Sequence, residues 1–154
     1  MDWEMFFEVH KDLPREGPGG PEDVAWAIVT SGLKGPIKVC DAACGPGGDI
    51  PALRAALPEA QITGVDKMPS FVAQAQATFA GDPQVDVIEG DLADLPDQPY
   101  DLIWCAGALY FLGLDLGPKT MRDALVRGGV LAFSEPVFFT ESPSAEAVAF
   151  WEGY

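Results

Sequence analysis

The stretch Val39-Cys-Asp-Ala-Ala-Cys-Gly-Pro-Gly-Gly-Asp49 decides the fold. A short apolar run, Ile37 to Cys40, meets an acid at Asp41 and breaks into a Gly/Pro turn, after which an amphipathic helical pattern begins. Strand, glycine turn and helix in that order form the floor of a nucleotide-type pocket in a doubly wound α/β fold. Outward from this stretch, the apolar pattern predicts strands at 37–41, 60–66, 84–89, 100–105 and 129–135. Helices fit between them at 48–57, 69–80 and 117–127, with a shorter one near 108–113. Strands alternating with helices imply parallel pairing, hence a mostly parallel, doubly wound sheet with helices on both faces.

Upstream, Trp3 to Val9 reads as a short helix with a broad apolar face. Leu13 to Gly20 is too rich in Gly and Pro to be regular. Pro21-Glu-Asp23 then supplies a first-turn proline and two acids at the positive end of a helix, which runs to about Leu33 and stops at Gly35-Pro36. No internal repeat or linker divides the chain, so 154 residues read as one domain. A last helical pattern, Ser144 to Tyr154, runs out without a capping signal, which predicts that the native chain is longer than 154 residues.

Composition narrows the function. The chain is 48% hydrophobic and 21% charged, the balance of a globular domain. Its 24 acids against 9 bases give a net charge of -15, which repels phosphate backbones and argues against a nucleic-acid partner. Cys40, Cys44 and Cys105 form no C-x-x-C pair, so neither a disulfide framework nor a zinc or other metal site is expected. Buried free thiols in a reducing, cytoplasmic setting fit better. Asp2, Glu4 and Glu8 stand where a signal peptide would be basic, and no apolar run approaches the ~20 residues of a membrane span.

Four predicted strand ends carry unusual residues: Asp41 with its glycine turn, Gly64-Val-Asp66, Glu89-Gly-Asp91-Leu92, and Trp104-Cys-Ala-Gly-Ala-Leu-Tyr110. In an open α/β sheet, ligands sit beyond these carboxyl ends at the topological switch point. Gly45 and Gly47 let a backbone approach a ligand closely. Asp41 can meet an ammonium group, and Asp66, about 20 residues past the loop, can accept from two ribose hydroxyls. Asp91 can accept from an adenine amino group, although Asp91 to Asp94 equally suits an N-capped turn. An ammonium, a ribose and an adenine in that order describe S-adenosylmethionine.

The ordered set resembles the class I S-adenosylmethionine-dependent methyltransferases over roughly Ile37 to Pro136. Their D-x-G-x-G-x-G motif is matched by Asp41-Ala-Ala-Cys-Gly-Pro-Gly47 and their second acid by Gly64-Val-Asp66. The adenine-side acid is matched by Gly90-Asp91-Leu92, and the run into strand five by Leu125-Val-Arg-Gly-Gly-Val-Leu131. The resemblance implies that Asp41, Ala43, Cys44, Gly45, Gly47, Asp66, Asp91 and Leu92 line the cofactor pocket, with Met68 against the adenine and Cys105 beside the sulfonium. His10 to Pro21 is similar to an N-terminal segment that folds over the cofactor in a subgroup of small-molecule methyltransferases, which makes Arg15 its polar anchor. One departure is Ala43, where the family has glycine. A methyl there costs little if the local φ is negative and much if it is positive.

On this reading, residues 1–35 form a helical cap, 36–136 the cofactor-binding core and 137–154 the start of a C-terminal helical segment. The resemblance also implies that C-terminal strands of the sheet are missing. The implied activity is S-adenosylmethionine-dependent methyl transfer to a small-molecule acceptor. No residue is nominated as catalytic: His10 reads as exposed, Trp104 and Cys105 as core, Tyr110 and Phe111 as pocket wall. Two alternatives stand beside it. An NAD-dependent oxidoreductase shares the fold, but Ile50 occupies the position of the third glycine in G-x-G-x-x-G. A non-catalytic binding protein could use the same scaffold.

Overall fold

The computed structural model describes residues 3–10, 13–96 and 99–152. Five strands, β1 (Lys38–Ala42), β2 (Gln61–Asp66), β3 (Val85–Glu89), β4 (Tyr100–Ala106) and β5 (Leu125–Ser134), pair in parallel in the order β3-β2-β1-β4-β5. The helices are α1 (Trp3–His10), α2 (Pro21–Ser31), α3 (Ile50–Ala56), α4 (Pro69–Phe79), α5 (Gly117–Asp123) and α6 (Ala145–Glu152), with a 3₁₀ turn at Leu109–Leu112. Pro14–Glu135, which contains the sheet, is one compact unit; the two chain ends, through Leu13 and from Pro136, make up another. Asp2, Lys11, Asp12, Gly153 and Tyr154, which figured in the sequence reading, lie outside the described residues.

Alternation along the strands sends side chains into two cores. Val39, Ile62, Val87, Leu102 and Trp104 pack with Val24 and Ile28 of α2, Leu53 of α3 and Val72 of α4. Cys40, Ala42, Val65, Ile103 and Cys105 pack on the other face, with Leu109 and with Met121 of α5. β1, central and covered on both sides, is therefore buried at every residue after Lys38, as a continuous run in a parallel sheet must be. The doubly wound expectation holds, and the strands lie close to their predicted places.

Local chemistry sets the helix ends. Asp23 Oδ2 accepts the Gly20 N–H at 2.8 Å to start α2, and Gly32, at φ 68°, ends it by donating its N–H to the Ile28 carbonyl. Two boundaries differ from expectation. The helix expected at 48–57 begins at Ile50, because Gly45 to Asp49 are spent on the turn itself. The helix expected at 117–127 ends at Asp123, and β5 starts at Leu125 rather than 129. Leu125 already pairs with Tyr100, and the next pairing is Leu102 with Val130, so a bulge absorbs Val126 to Gly129. Among the described residues, no helix is long and apolar enough to cross a membrane.

Candidate active site

β1 ends where the strand order reverses, with β2 on one side and β4 on the other. Asp41, at this edge, registers with Gly64 of β2 and Trp104 of β4. It is only 2% exposed, and its Oδ2 has no hydrogen-bond partner among the described residues. Burial, reinforced by Asp49, holds its carboxyl well above the usual range, against the opposing pull of Arg15.

The loop after β1 folds through three left-handed residues, Ala43 (φ 59°), Gly45 (φ 54°) and Gly47 (φ 88°). The alanine substitution thus falls at a positive φ, the costly case. The loop is tied to β2 by the Cys44 N–H on the Val65 carbonyl at 3.0 Å. The Asp66 carboxylate adds a second tie: Oδ2 accepts the Gly45 N–H and Oδ1 the Met68 N–H, each at 2.8 Å. One buried acid thereby joins the glycine loop to the start of α4. Burial raises the Asp66 pKa, and the N–H donors of Met68 and Gly45 oppose the rise.

Above the loop lies Pro14 to Gly20. Arg15 makes a forked pair with Asp49, Nε to Oδ1 at 2.8 Å and Nη2 to Oδ2 at 2.9 Å, while its Nη1 donates to the carbonyls of Gly17 and Pro18. The Trp104 indole N–H also donates to Asp49 Oδ2, at 2.8 Å. Asp49 precedes α3, and Trp104 stands on β4 within the first core, so rigid elements hold both. A small cavity remains, with Arg15, Glu16, Asp41, Ala43, Gly45 and Asp49 among its lining residues.

Of the residues expected in the pocket, the structure gathers Asp41, Ala43, Cys44, Gly45 and Arg15 around this cavity. Gly47 backs the loop against Phe79 of α4, and Asp66 and half-buried Met68 support it from the β2 side. Asp91 is exposed. Its Oδ1 accepts the Ala93 N–H at 2.9 Å and its Oδ2 pairs with Lys67 at 3.2 Å, and both hold its pKa below the usual range. It closes a turn with Asp94, the alternative the sequence left open. Leu92 packs against the second core. Cys105 is fully buried in that core, on the face opposite Trp104, where desolvation pushes its thiol up to about 12. All three cysteines are free and buried.

Sequence reasoning missed Asp49 and the polar role of Trp104. The available signal was an acid directly after the last loop glycine, Gly48, together with a tryptophan, whose N–H requires an acceptor when buried. Glu135, just past β5, was also missed. It accepts the Tyr110 N–H at 2.9 Å and so caps the 3₁₀ turn at the same sheet edge.

A family described as a methyltransferase domain matches residues 39–129. The chain is 36% identical over 115 residues to a trans-aconitate 2-methyltransferase of Streptomyces avermitilis, covering 71% of this chain and 42% of that protein. It is 35% identical over 138 residues to a protein of the same name from Shigella flexneri, covering 88% and 51%. The chain spans about half the length of the curated relatives it matches. Among solved structures, a methyltransferase from Thiobacillus denitrificans in complex with S-adenosyl-L-homocysteine superposes with a TM-score of 0.78 at 25% identity, over 95% of this chain and 60% of that one. One from Geobacter sulfurreducens gives 0.80 at 20% identity over the same shares, a likeness of fold.

Proposed function

This chain belongs to the methyltransferase domain family, and from that premise we propose that it binds S-adenosylmethionine and directs its methyl to a small-molecule acceptor. The observation that carries the reading is Asp41: a buried carboxylate with an unpartnered oxygen, at the sheet's switch point, beside a left-handed loop. A buried carboxylate left without a partner is expensive, and a ligand ammonium would supply the missing charge and donors. Asp66 fits a ribose, because a carboxylate has about four lone-pair sites and the N–H groups of Gly45, Met68 and Lys67 leave it acceptor capacity.

When bound, the cofactor supplies an electrophilic methyl on a sulfonium. The protein's task is then to orient the two reactants and exclude water. Alignment of this kind can supply about 7–11 kcal/mol of a barrier. Asp41 would fix the amino end, Asp66 the sugar, and the loop backbone the space between them. The acceptor is small on this reading: trans-aconitate is small in the names of the relatives, and the charge of -15 disfavours a polynucleotide. A cytoplasmic setting belongs to the same reading, supported by three free buried thiols.

Calorimetry with S-adenosylmethionine, S-adenosylhomocysteine and NAD tests the cofactor. Submillimolar binding of the first two and none of NAD is expected; the reverse would replace the reading with a dinucleotide one. Incubation with methyl-labelled cofactor and metabolite fractions then tests transfer. Cofactor binding with no label moved to any fraction would favour a non-catalytic scaffold.

A further inference from the structure

The carboxyl edge of the sheet is acidic. Asp66 and Glu89 close β2 and β3, Asp41 stands next to the end of β1, and Glu135 follows β5. Among the described residues the cations of this edge are Arg15 and Lys67, already engaged with Asp49 and Asp91. Lys34, Lys38 and Arg127 lie towards the strand starts, as does Arg54, which pairs with Asp82. Lys119 and Arg122 are exposed on α5. A surplus of one sign in a crevice raises the local concentration of the opposite charge. A tricarboxylate would instead need arginines or lysines free to pair with it.

Two acids of this edge lack a cation among the described residues. Asp41 is one, with its unpartnered buried oxygen aimed at the cavity. Glu135 is the other. Ala106, which lines that cavity, pairs with Ser134 of β5, the Gly107 N–H donates to the Ser134 carbonyl at 2.9 Å, and Glu135 comes next. Its carboxylate accepts the N–H groups of Tyr110, at 2.9 Å, and Leu109, which leaves it acceptor capacity. The turn it caps carries the Tyr110–Phe111 ring pair, centroids 4.3 Å apart, with Phe111 exposed. A carboxylate next to aromatic rings suits an ammonium, which is drawn to both.

We propose that the methyl acceptor is a small amine of net positive charge, and that Glu135 is the carboxylate that binds its ammonium and takes its proton. This inference rests on the methyl-transfer reading. The cofactor's own ammonium answers Asp41. Its sulfonium loses charge as the methyl leaves, so a carboxylate spent on the sulfonium would hold back the transfer. Glu135 is better used on the acceptor. The amine nitrogen gives one proton to a Glu135 oxygen. Its lone pair then forms the N–C bond while the C–S bond breaks and that pair returns to sulfur. An N-methylated ammonium and a neutral thioether result, and Glu135 releases its proton to water. Burial, which raises the Glu135 pKa against the pull of the two N–H donors, makes it a better base for this step.

The test divides a small-metabolite extract by ion exchange at neutral pH into anionic, neutral and cationic pools. Each pool, and trans-aconitate alone, is incubated with the protein and methyl-labelled S-adenosylmethionine. Label should enter the cationic pool. Label in the anionic or neutral pool only, or on trans-aconitate, would overturn the acceptor class while leaving methyl transfer intact. So would calorimetric binding of trans-aconitate in the presence of S-adenosylhomocysteine. Label in no pool would end the transfer reading itself, and this inference with it. Glu135→Gln then tests the residue, because glutamine keeps an oxygen for the Tyr110 N–H but cannot take the proton. With the cationic pool, its rate should fall about 100-fold or more, while its melting point and its affinity for S-adenosylhomocysteine stay those of the wild type. A wild-type rate in that variant, or a loss of rate matched by loss of cofactor affinity or of folding, would remove Glu135 from the reaction.

Discussion

Replacing Gly47 with alanine puts a number on how tightly the loop is built. Its φ of +88° is left-handed, and a Cβ there would stand 2.7 Å from Phe79 Cε2, 3.3 Å from Ala75 Cβ and 3.4 Å from Ile50 Cδ1. The new methyl would be driven into the junction of α3 and α4. Left-handed backbone costs an L-residue about 1–2 kcal/mol. Forcing a methyl into a packed site costs about 1–3 kcal/mol. The unfolded alanine chain has fewer conformations to lose, which returns about 0.4–1 kcal/mol. The net destabilisation is about 3 kcal/mol, and at about 2–4 °C per kcal/mol the melting point should fall by about 6–12 °C.

Gly32 supplies the control. It is also left-handed, at φ +68°, but nothing lies within 4 Å of the Cβ it would carry. Gly32→Ala therefore feels only the backbone terms, a net loss of about 1 kcal/mol or less. Urea unfolding of both variants, compared at constant m, isolates the crowding around Gly47. Equal destabilisation of the two variants would mean that the loop is not packed against α4 as described, and the reasoning would fail.

The converse change, Ala43→Gly, removes strain at φ 59° and should stabilise the fold by up to about 1 kcal/mol, seen as a higher melting point; a loss of 1 kcal/mol or more would contradict it. Asp41→Asn tests the buried acid. Because the folded pKa is raised, wild-type stability should fall as pH rises from about 4, the unfolded carboxylate value, towards the folded one. The variant should lack that fall and gain on the wild type through this window, and parallel stability curves across pH would remove the assignment. Asp66→Ala strands the Gly45 and Met68 N–H groups, at about 1–3 kcal/mol for each buried donor, and should weaken S-adenosylhomocysteine as well. Unchanged affinity in a folded Asp66→Ala protein would end the ribose proposal.

Much of the fold was legible because its signals are local. The apolar run of β1, the break at Cys44-Gly-Pro-Gly47 and the proline starts of α2 and α4 each depend on a few neighbouring residues. The end of α5 was less so, since the pairing of Leu125 with Tyr100 and the bulge that follows depend on another strand. In the site, Asp41 and Asp66 stood out as acids at strand ends, which topology alone brings to one edge. The contacts of Asp49 did not. Its partners are 34 and 55 residues away, and no spacing rule links an arginine in a Gly/Pro segment to an indole on β4. Cys105, read from the sequence as core, is buried there, and strand alternation places it on the face opposite Trp104.

The three buried acids among the described residues are satisfied in different ways, and the difference indicates where a ligand gains most. Asp49 has a guanidinium fork and an indole, and Asp66 has backbone donors from Gly45, Met68 and Lys67. Asp41 is more buried than either, yet one of its oxygens has nothing. Burial disfavours the charged form of this carboxyl, so a cationic group arriving there would supply the counter-charge that favours its ionisation.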